Sequence, residues 1–287
     1  MNTILEVKKL KKSYSNFTLN NITFSLPEGC ITGFIGANGA GKTTTIRTIL
    51  GLTEKTSGDI IFFGLPMLGN EKKIKDRLGI VFDDTCFYDE FSLVQMKSII
   101  APAYSEWNEK TFLNYLERFG LNPKQKIATL SRGMKMKYAL AIALSHNAEL
   151  LIMDEPTGGL DPQTRSDFRS ILTEFMNNGG KGVFFSTHIT SDLDKIADVL
   201  IMIDKGRIVF QEEKDSLLDK HRIVKGIIGD LNPEVKKLFI SLQQTDFGFT
   251  GLTSDYSAMR KLLSNAVYER PTIEDIMLAY SEGGIKC

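Results

Sequence analysis

The segment Gly36-Ala37-Asn38-Gly39-Ala40-Gly41-Lys42-Thr43 carries the residue types that grip a chain of phosphates. Glycines let the backbone wrap closely, so that successive N–H groups converge, and a helix beginning there adds the positive end of its dipole. In the pattern G-x-x-x-x-G-K-S/T the lysine reaches the outer phosphates and the final hydroxyl ligates Mg²⁺. Here those residues are Lys42 and Thr43, followed by Thr44. A second candidate is Leu150-Leu151-Ile152-Met153-Asp154-Glu155, an apolar run ending in two acids. Ligands of open α/β sheets bind at such strand ends. Asp154 is placed to hold the metal through its water shell, and Glu155 is the better general base for an attacking water. Without the glycine loop, a solvated acidic strand end would account for the same pair. The buried-type run Val183 to Ser186 leads into Thr187 and His188. An isolated histidine is usually structural or exposed; in a fold with a phosphate loop this position instead offers His188 to the terminal phosphate and the water. His146 and His221 have no comparable context and read as structural.

These residues need strands behind them and helices beside them. Short β-rich runs recur at Ile4 to Val7, Ile22 to Leu26, Cys30 to Ile35, Ile60 to Phe63, Leu78 to Phe82 and Val199 to Ile203. Several are apolar along their whole length, as expected of strands covered on both faces. Helical patterns alternate with them at Lys42 to Leu50, Lys110 to Phe119, Gly133 to Ser145 and Arg165 to Asn177. This order predicts an α/β domain with a mostly parallel sheet. The β-runs vanish between about 84 and 147, which reads as a helical insert. A weaker boundary near Gln211 to Asp215 divides the chain into a domain over 1–212 and an extension over 213–287. The extension shows a strand-like Ile223 to Ile228, a helix after Pro233 and a final helix from Thr272 to Tyr280.

Composition narrows the possibilities. In 287 residues, 35 Lys plus Arg balance 35 Asp plus Glu, so the global basic excess of many nucleic-acid binders is missing. Apolar stretches are far shorter than the roughly 20 residues of a membrane-spanning helix, and no apolar leader core follows the N-terminus. Cys30, Cys86 and Cys287 lack metal-like spacing and are odd in number, as expected of a reduced interior.

Together the motifs resemble those of the ATP-binding subunit of an ATP-binding cassette (ABC) transporter over roughly residues 3 to 211. They run in family order: Gly36 to Thr43, Leu130-Ser131-Arg132-Gly133-Met134, Asp154-Glu155, Gly159-Leu160-Asp161, then His188. The Leu-Ser-x-Gly segment before the paired acids separates this family from kinases and GTPases. The resemblance implies a P-loop NTPase of ABC type, with a mixed sheet core, an N-terminal antiparallel β part, the helical insert and a small C-terminal α+β extension. It implies ATP and Mg²⁺ as cofactors, Tyr14 stacked on adenine, and a head-to-tail dimer of cassettes with an identical or different partner. Across that dimer Ser131 and Gly133 face the ATP held by the partner, and Asp161 belongs to the loop between the two sites. Separately encoded integral membrane permease chains and a cytoplasmic, peripheral location on the inner face of the membrane follow. Taken alone, Ser131 is also explained as a helix N-cap, and Tyr14 as a strand-edge aromatic.

The sequence departs from the family at three places. Asp83 stands where a Gln is usual, and its shorter, acceptor-only side chain would alter the contact with Mg²⁺ or water. In the Leu-Ser-x-Gly segment, Arg132 and Met134 replace a Gly and a Gln, while Gly133 is retained. Hydrolysis is expected to survive. Thr85 to Ile100, with Phe87, Tyr88, Phe91, Leu93 and Met96, is the region in which the family docks its membrane subunits, although a plain helical core explains those aromatics too. The tail and the Ser-Arg-Gly-Met-Lys variant resemble drug and antibiotic export subunits. The alternative is a soluble ABC ATPase acting on nucleic acid or ribosomes; one cassette, no heptad run and no basic excess speak against it.

Overall fold

The computed structural model describes residues 2–83, 87–177, 179–282 and 284–286. The chain opens on a long antiparallel pair, β1 (Thr3–Ser13) and β2 (Thr18–Pro27). Next comes β3 (Ile31–Ile35), then the glycine loop and α1 (Lys42–Ile49). Strands β4 (Ser57–Phe62) and β5 (Leu65–Pro66) complete a four-stranded antiparallel sheet in the order β2-β1-β4-β5. After α2 (Glu71–Lys75) the chain enters β6 (Leu78–Phe82).

The helical insert follows, as its patterning predicts. It contains α3 (Leu93–Ile100), α4 (Glu109–Arg118) and α5 (Arg132–Ala143). Each helix starts where a side chain can satisfy an orphan N–H. Ser92 and Gln95 form a reciprocal capping box on α3, Asn108 accepts from Thr111 N–H at 2.9 Å, and Ser131 accepts from Met134 N–H at 3.2 Å. The insert has its own core, in which Leu93 and Met96 pack with Phe112, Leu116, Ile127 and Tyr138. That corrects the docking expectation for two residues. Leu93 and Met96 are buried, so the helical-core alternative holds for them. Phe87 and Phe91 are half-buried, the first with its ring 4.9 Å from that of Tyr138, and Tyr88 is exposed. Thr85 and Cys86 lie outside the described residues.

Beyond the insert come β7 (Leu150–Asp154), α6 (Pro162–Met176), β8 (Gly182–Thr187), α7 (Thr190–Ile196), β9 (Val199–Asp204) and β10 (Arg207–Glu213). Helix α6 starts three residues before its predicted Arg165, because Asp161 caps it and Pro162 supplies a pre-set φ. The central sheet runs β10-β9-β3-β8-β7-β6, parallel except for β10. Its inner strands β9, β3, β8 and β7 are buried on both faces because two different layers cover them. Leu151, Met153, Val183 and Phe185 point into a core shared with α5 and α6. Leu150, Ile152, Phe34 and Phe184 point into one shared with α1 and the antiparallel sheet. At the centre of the second core the Phe34 and Phe184 rings lie 5.3 Å apart, with Phe24 5.6 Å from Phe184. This two-sided burial is the physical reason the strand runs show no polar alternation.

The extension mixes helices with a five-stranded sheet, a sheet that its sequence pattern only partly shows. Helix α8 (Lys214–Lys220), β11 (Arg222–Gly226) and α9 (Pro233–Lys237) lead into β12 (Phe239–Gln244) and β13 (Phe249–Thr253). Then follow α10 (Tyr256–Leu262), β14 (Val267–Glu269), α11 (Ile273–Glu282) and β15 (Gly284–Lys286), giving a sheet ordered β14-β11-β13-β12-β15. One face holds a small core of Val224, Val235, Leu242, Phe249, Met259 and Leu263. On the other side, Ile273, Ile276 and Met277 of α11 join the core beneath the central sheet, together with Leu193 of α7. Among the described residues, no helix is long and apolar enough to cross a membrane.

Candidate nucleotide site

The glycine loop leaves β3 and closes on α1, so the phosphate-gripping segment sits at the carboxyl edge of the central sheet. Only glycine fits at Gly36, where a Cβ would collide with the Ile203 carbonyl oxygen. Gly41 is in the left-handed region at φ 115° and starts α1 with no side-chain cap. The first N–H groups of α1 are thus left for a ligand. The loop lines a cleft of about 590 Å³ through Ala37, Asn38, Gly39, Gly41, Lys42, Thr43 and Thr44. Gly36 and Ala40 are packed behind it.

Lys42 has only 6% of its side chain exposed, and Nζ donates to the Gly36 carbonyl at 2.7 Å. The same ammonium lies 3.3 Å from Glu155 Oε1. The other Glu155 oxygen meets His188 twice, at 2.8 Å from Nδ1 and 3.3 Å from the backbone N–H. A carboxylate only accepts, so Nδ1 is the donor in that contact. Lys42, Glu155 and His188 therefore form one chain of contacts along the cleft wall. Residues predicted separately from three sequence segments meet here.

Glu155 adopts φ 49°, a conformation uncommon for a non-glycine residue, which turns its side chain off the end of β7. Ser186 on the neighbouring strand β8 holds this turn. Its hydroxyl donates to Asp154 Oδ1 at 2.5 Å and accepts the Glu155 N–H at 3.1 Å. The Ser186 carbonyl accepts the same N–H at 3.1 Å. Asp154 is 5% exposed and lies behind the cleft surface. Ser186 was not singled out from the sequence; the available signal was a hydroxyl directly after the apolar stretch from Val183 to Phe185.

Tyr14 also lines the cleft, half exposed, with Lys12 Nζ 5.0 Å from its ring centroid. Phe17, not foreseen, lines the cleft beside it. Asp83 lines the cleft where β6 ends, and Arg132 pairs with it through Nη2 to Oδ1. Ser131, Gly133 and Asp161 do not line this cleft. Asp161 caps α6 by accepting from the Thr164 hydroxyl at 2.6 Å and its N–H at 2.9 Å, and these bonds hold its carboxyl below the usual carboxylate range.

The cleft thus presents the backbone amides of the glycine loop, a buried lysine, a carboxylate–histidine pair and an aromatic in its wall. The family model "ABC transporter" matches residues 19–158, which include the glycine loop and the paired acids. The lantibiotic transport ATP-binding protein SrtF of Streptococcus pyogenes is 34% identical over 74% of this chain and 92% of its own length. The chain belongs to the ABC transporter family. The bacitracin transport ATP-binding protein BcrA of Bacillus licheniformis is also 34% identical, over 77% of this chain and 74% of its own length. A solved structure described as an ATP-binding subunit of an ABC transporter superposes with a TM-score of 0.69 at 28% identity. It covers 75% of this chain and 92% of that one. This ABC protein is accordingly an ATP-binding ATPase subunit of a transporter, built on a P-loop fold with a mixed central sheet. Cassettes of the family dimerise and work with membrane-spanning subunits. The named relatives are transport proteins, which favours this reading over an ATPase acting on nucleic acid or ribosomes.

Proposed function

We propose that the chain is the Mg²⁺-dependent ATPase of an exporter, with Glu155 as general base, His188 as its orienting partner and Lys42 on the terminal phosphates. The observation that carries this reading is the placement of Glu155 between Lys42 Nζ and His188 Nδ1 on the wall of the phosphate cleft. Glu155 accepts the proton of the attacking water. His188 holds the carboxylate toward the cleft, and Lys42 offsets the negative charge of the outer phosphates. Gly36, Asn38, Gly39, Ala40, Gly41 and Thr44 form the phosphate loop, and Tyr14 stacks on the base.

The oxygen donors near the loop suit Mg²⁺, which prefers hard ligands. The Thr43 hydroxyl and the Asp83 carboxylate line the cleft, with Asp154 behind them. When bound, the metal neutralises phosphate charge and orients the terminal group for in-line attack.

Ser131 and Gly133 stand at the exposed N-terminus of α5, outside their own chain's cleft. This supports a head-to-tail dimer in which they reach the partner's nucleotide. Residues 1–212 form the cassette and 213–287 the extension in this reading. The named antibiotic-transport relatives support export, and with it a peripheral place on the inner face of the membrane beside integral permease chains. The test is Glu155→Gln. It should lower ATP turnover at least about 100-fold while ATP binding persists, and unchanged turnover would overturn the assignment of the base.

A further inference from the structure

Asp83 introduces a full negative charge into the wall of a cleft that receives a polyanion. Without a metal ion between them, that carboxylate and a phosphate repel, since like charges in one cleft repel. Its partner is Arg132, which comes from a sequence-distant helix start, 49 residues away. Arg132 does not reach only Asp83. Its guanidinium also lies against the Gly158–Gly159 turn that follows Glu155, where a Cβ on Gly159 would sit 2.7 Å from Nη1. Asp83 and Arg132 together line both the 590 Å³ phosphate cleft and an adjoining cleft of about 220 Å³ beneath α5. One arginine thereby joins the end of β6, the start of α5 and the turn after Glu155.

Both side chains are about half exposed, at 54% for Arg132 and 43% for Asp83. Exposed ion pairs add little to stability. The consequence of this pair is therefore to be sought in the charge it presents to the cleft. Lys135, which also lines the cleft beneath α5, is engaged with Asp89 at 3.0 Å.

We propose that Arg132 is a positioning residue of the nucleotide site, neutralising Asp83 so that the cleft accepts a triphosphate. This rests on the reading of the cleft as the ATP site. The unmasked Asp83 carboxylate repels ATP more than ADP, because ATP carries about one more negative charge. In Arg132→Gln, the dissociation constant for ATP in EDTA at low salt should rise about three- to tenfold, and that for ADP by less. Adding Asp83→Asn to that variant should return ATP affinity to within about twofold of the parent. Raising salt to about 0.5 M should erase most of the difference, since exposed charges are then screened.

Equilibrium binding of ATP and ADP to the full chain, measured by calorimetry for the parent, both single variants and the double, gives the needed cycle. Equal loss of ATP affinity with and without Asp83 would overturn the proposal and make Arg132 a direct phosphate ligand. No loss in Arg132→Gln would overturn it as well. A parent chain that binds neither nucleotide would instead overturn the reading of the cleft.

Discussion

Replacing Ser186 with alanine tests whether one buried hydroxyl holds the reacting carboxylates in place. The hydroxyl donates to Asp154 Oδ1 at 2.5 Å, in a position where Asp154 is 5% exposed. A hydrogen bond to a charged acceptor contributes about 1.5–3 kcal/mol, and its loss leaves a buried carboxylate oxygen short of a partner. The hydroxyl also accepts the Glu155 N–H, but that donor keeps the Ser186 carbonyl at 3.1 Å, so this second loss adds about 0.5 kcal/mol or less. The total expected destabilisation is about 2–3 kcal/mol, read as a shift of the urea midpoint at unchanged slope. Catalysis should suffer separately. Glu155 sits at φ 49°, a conformation costing about 1–3 kcal/mol that its surroundings must enforce. Releasing one of its restraints should lower ATP turnover about tenfold, equivalent to about 1.4 kcal/mol of barrier. Ser186→Thr keeps the hydroxyl and should recover turnover, while losing some stability because its extra methyl enters a fully buried position. A Ser186→Ala protein with less than about 0.5 kcal/mol of destabilisation and full turnover would refute the reasoning.

Lys42→Ala removes an ammonium that spans the Gly36 carbonyl and Glu155. ATP affinity, followed by calorimetry, should fall at least about tenfold, as expected for losing a buried phosphate-facing charge. Gly36→Ala forces a methyl against the Ile203 carbonyl oxygen. Thermal and urea unfolding should show a loss of about 2 kcal/mol or more, with ATP binding reduced in the same protein. The buried imidazoles give the chain an acid-sensitive limb. Burial lowers the pKa of His146 and of His221 below the ordinary histidine value, against hydrogen bonds that raise it. The unfolded chain then binds more protons than the folded one as pH falls. The stability these residues contribute is complete above about pH 6.5 and drains away as pH drops through the folded-state values. Melting temperatures measured from pH 8 to 5 should fall more steeply for the parent than for His146→Gln or His221→Gln, and parallel curves would contradict the assignment.

Much of the site was legible because its chemistry depends on neighbours in sequence. Phosphate gripping needs closely spaced glycines, a lysine and a helix start, and Gly36 to Thr43 contains all of them within eight residues. The apolar runs before Asp154 and His188 were equally readable, since two-sided burial leaves a continuous apolar signature. The start of α6 was missed by three residues, because the Asp161 cap and Pro162 precede the apolar-periodic pattern. The five-stranded sheet of the extension was less clear. Its strands are short and half-buried, as in β12 and β14, and the stretch from Phe239 to Glu269 lacks the long apolar runs of the cassette.

What the tertiary structure decided is which distant residues meet. Composition and spacing could not say that Ser186 would tie Asp154 to Glu155, because that contact needs β7 and β8 to lie side by side. Nor could they say that Arg132 would turn toward Asp83, two departures from one family pattern brought together by the packing of α5 against β6. Packing within the helical insert buried Leu93 and Met96 and left Tyr88 exposed, a distinction invisible in a run of similar apolar residues. A sequence specifies local backbone habit and hydrophobic period directly. Pairing across tens of residues depends on how the packed layers close, and that closure aims the Glu155 carboxylate between Lys42 and His188.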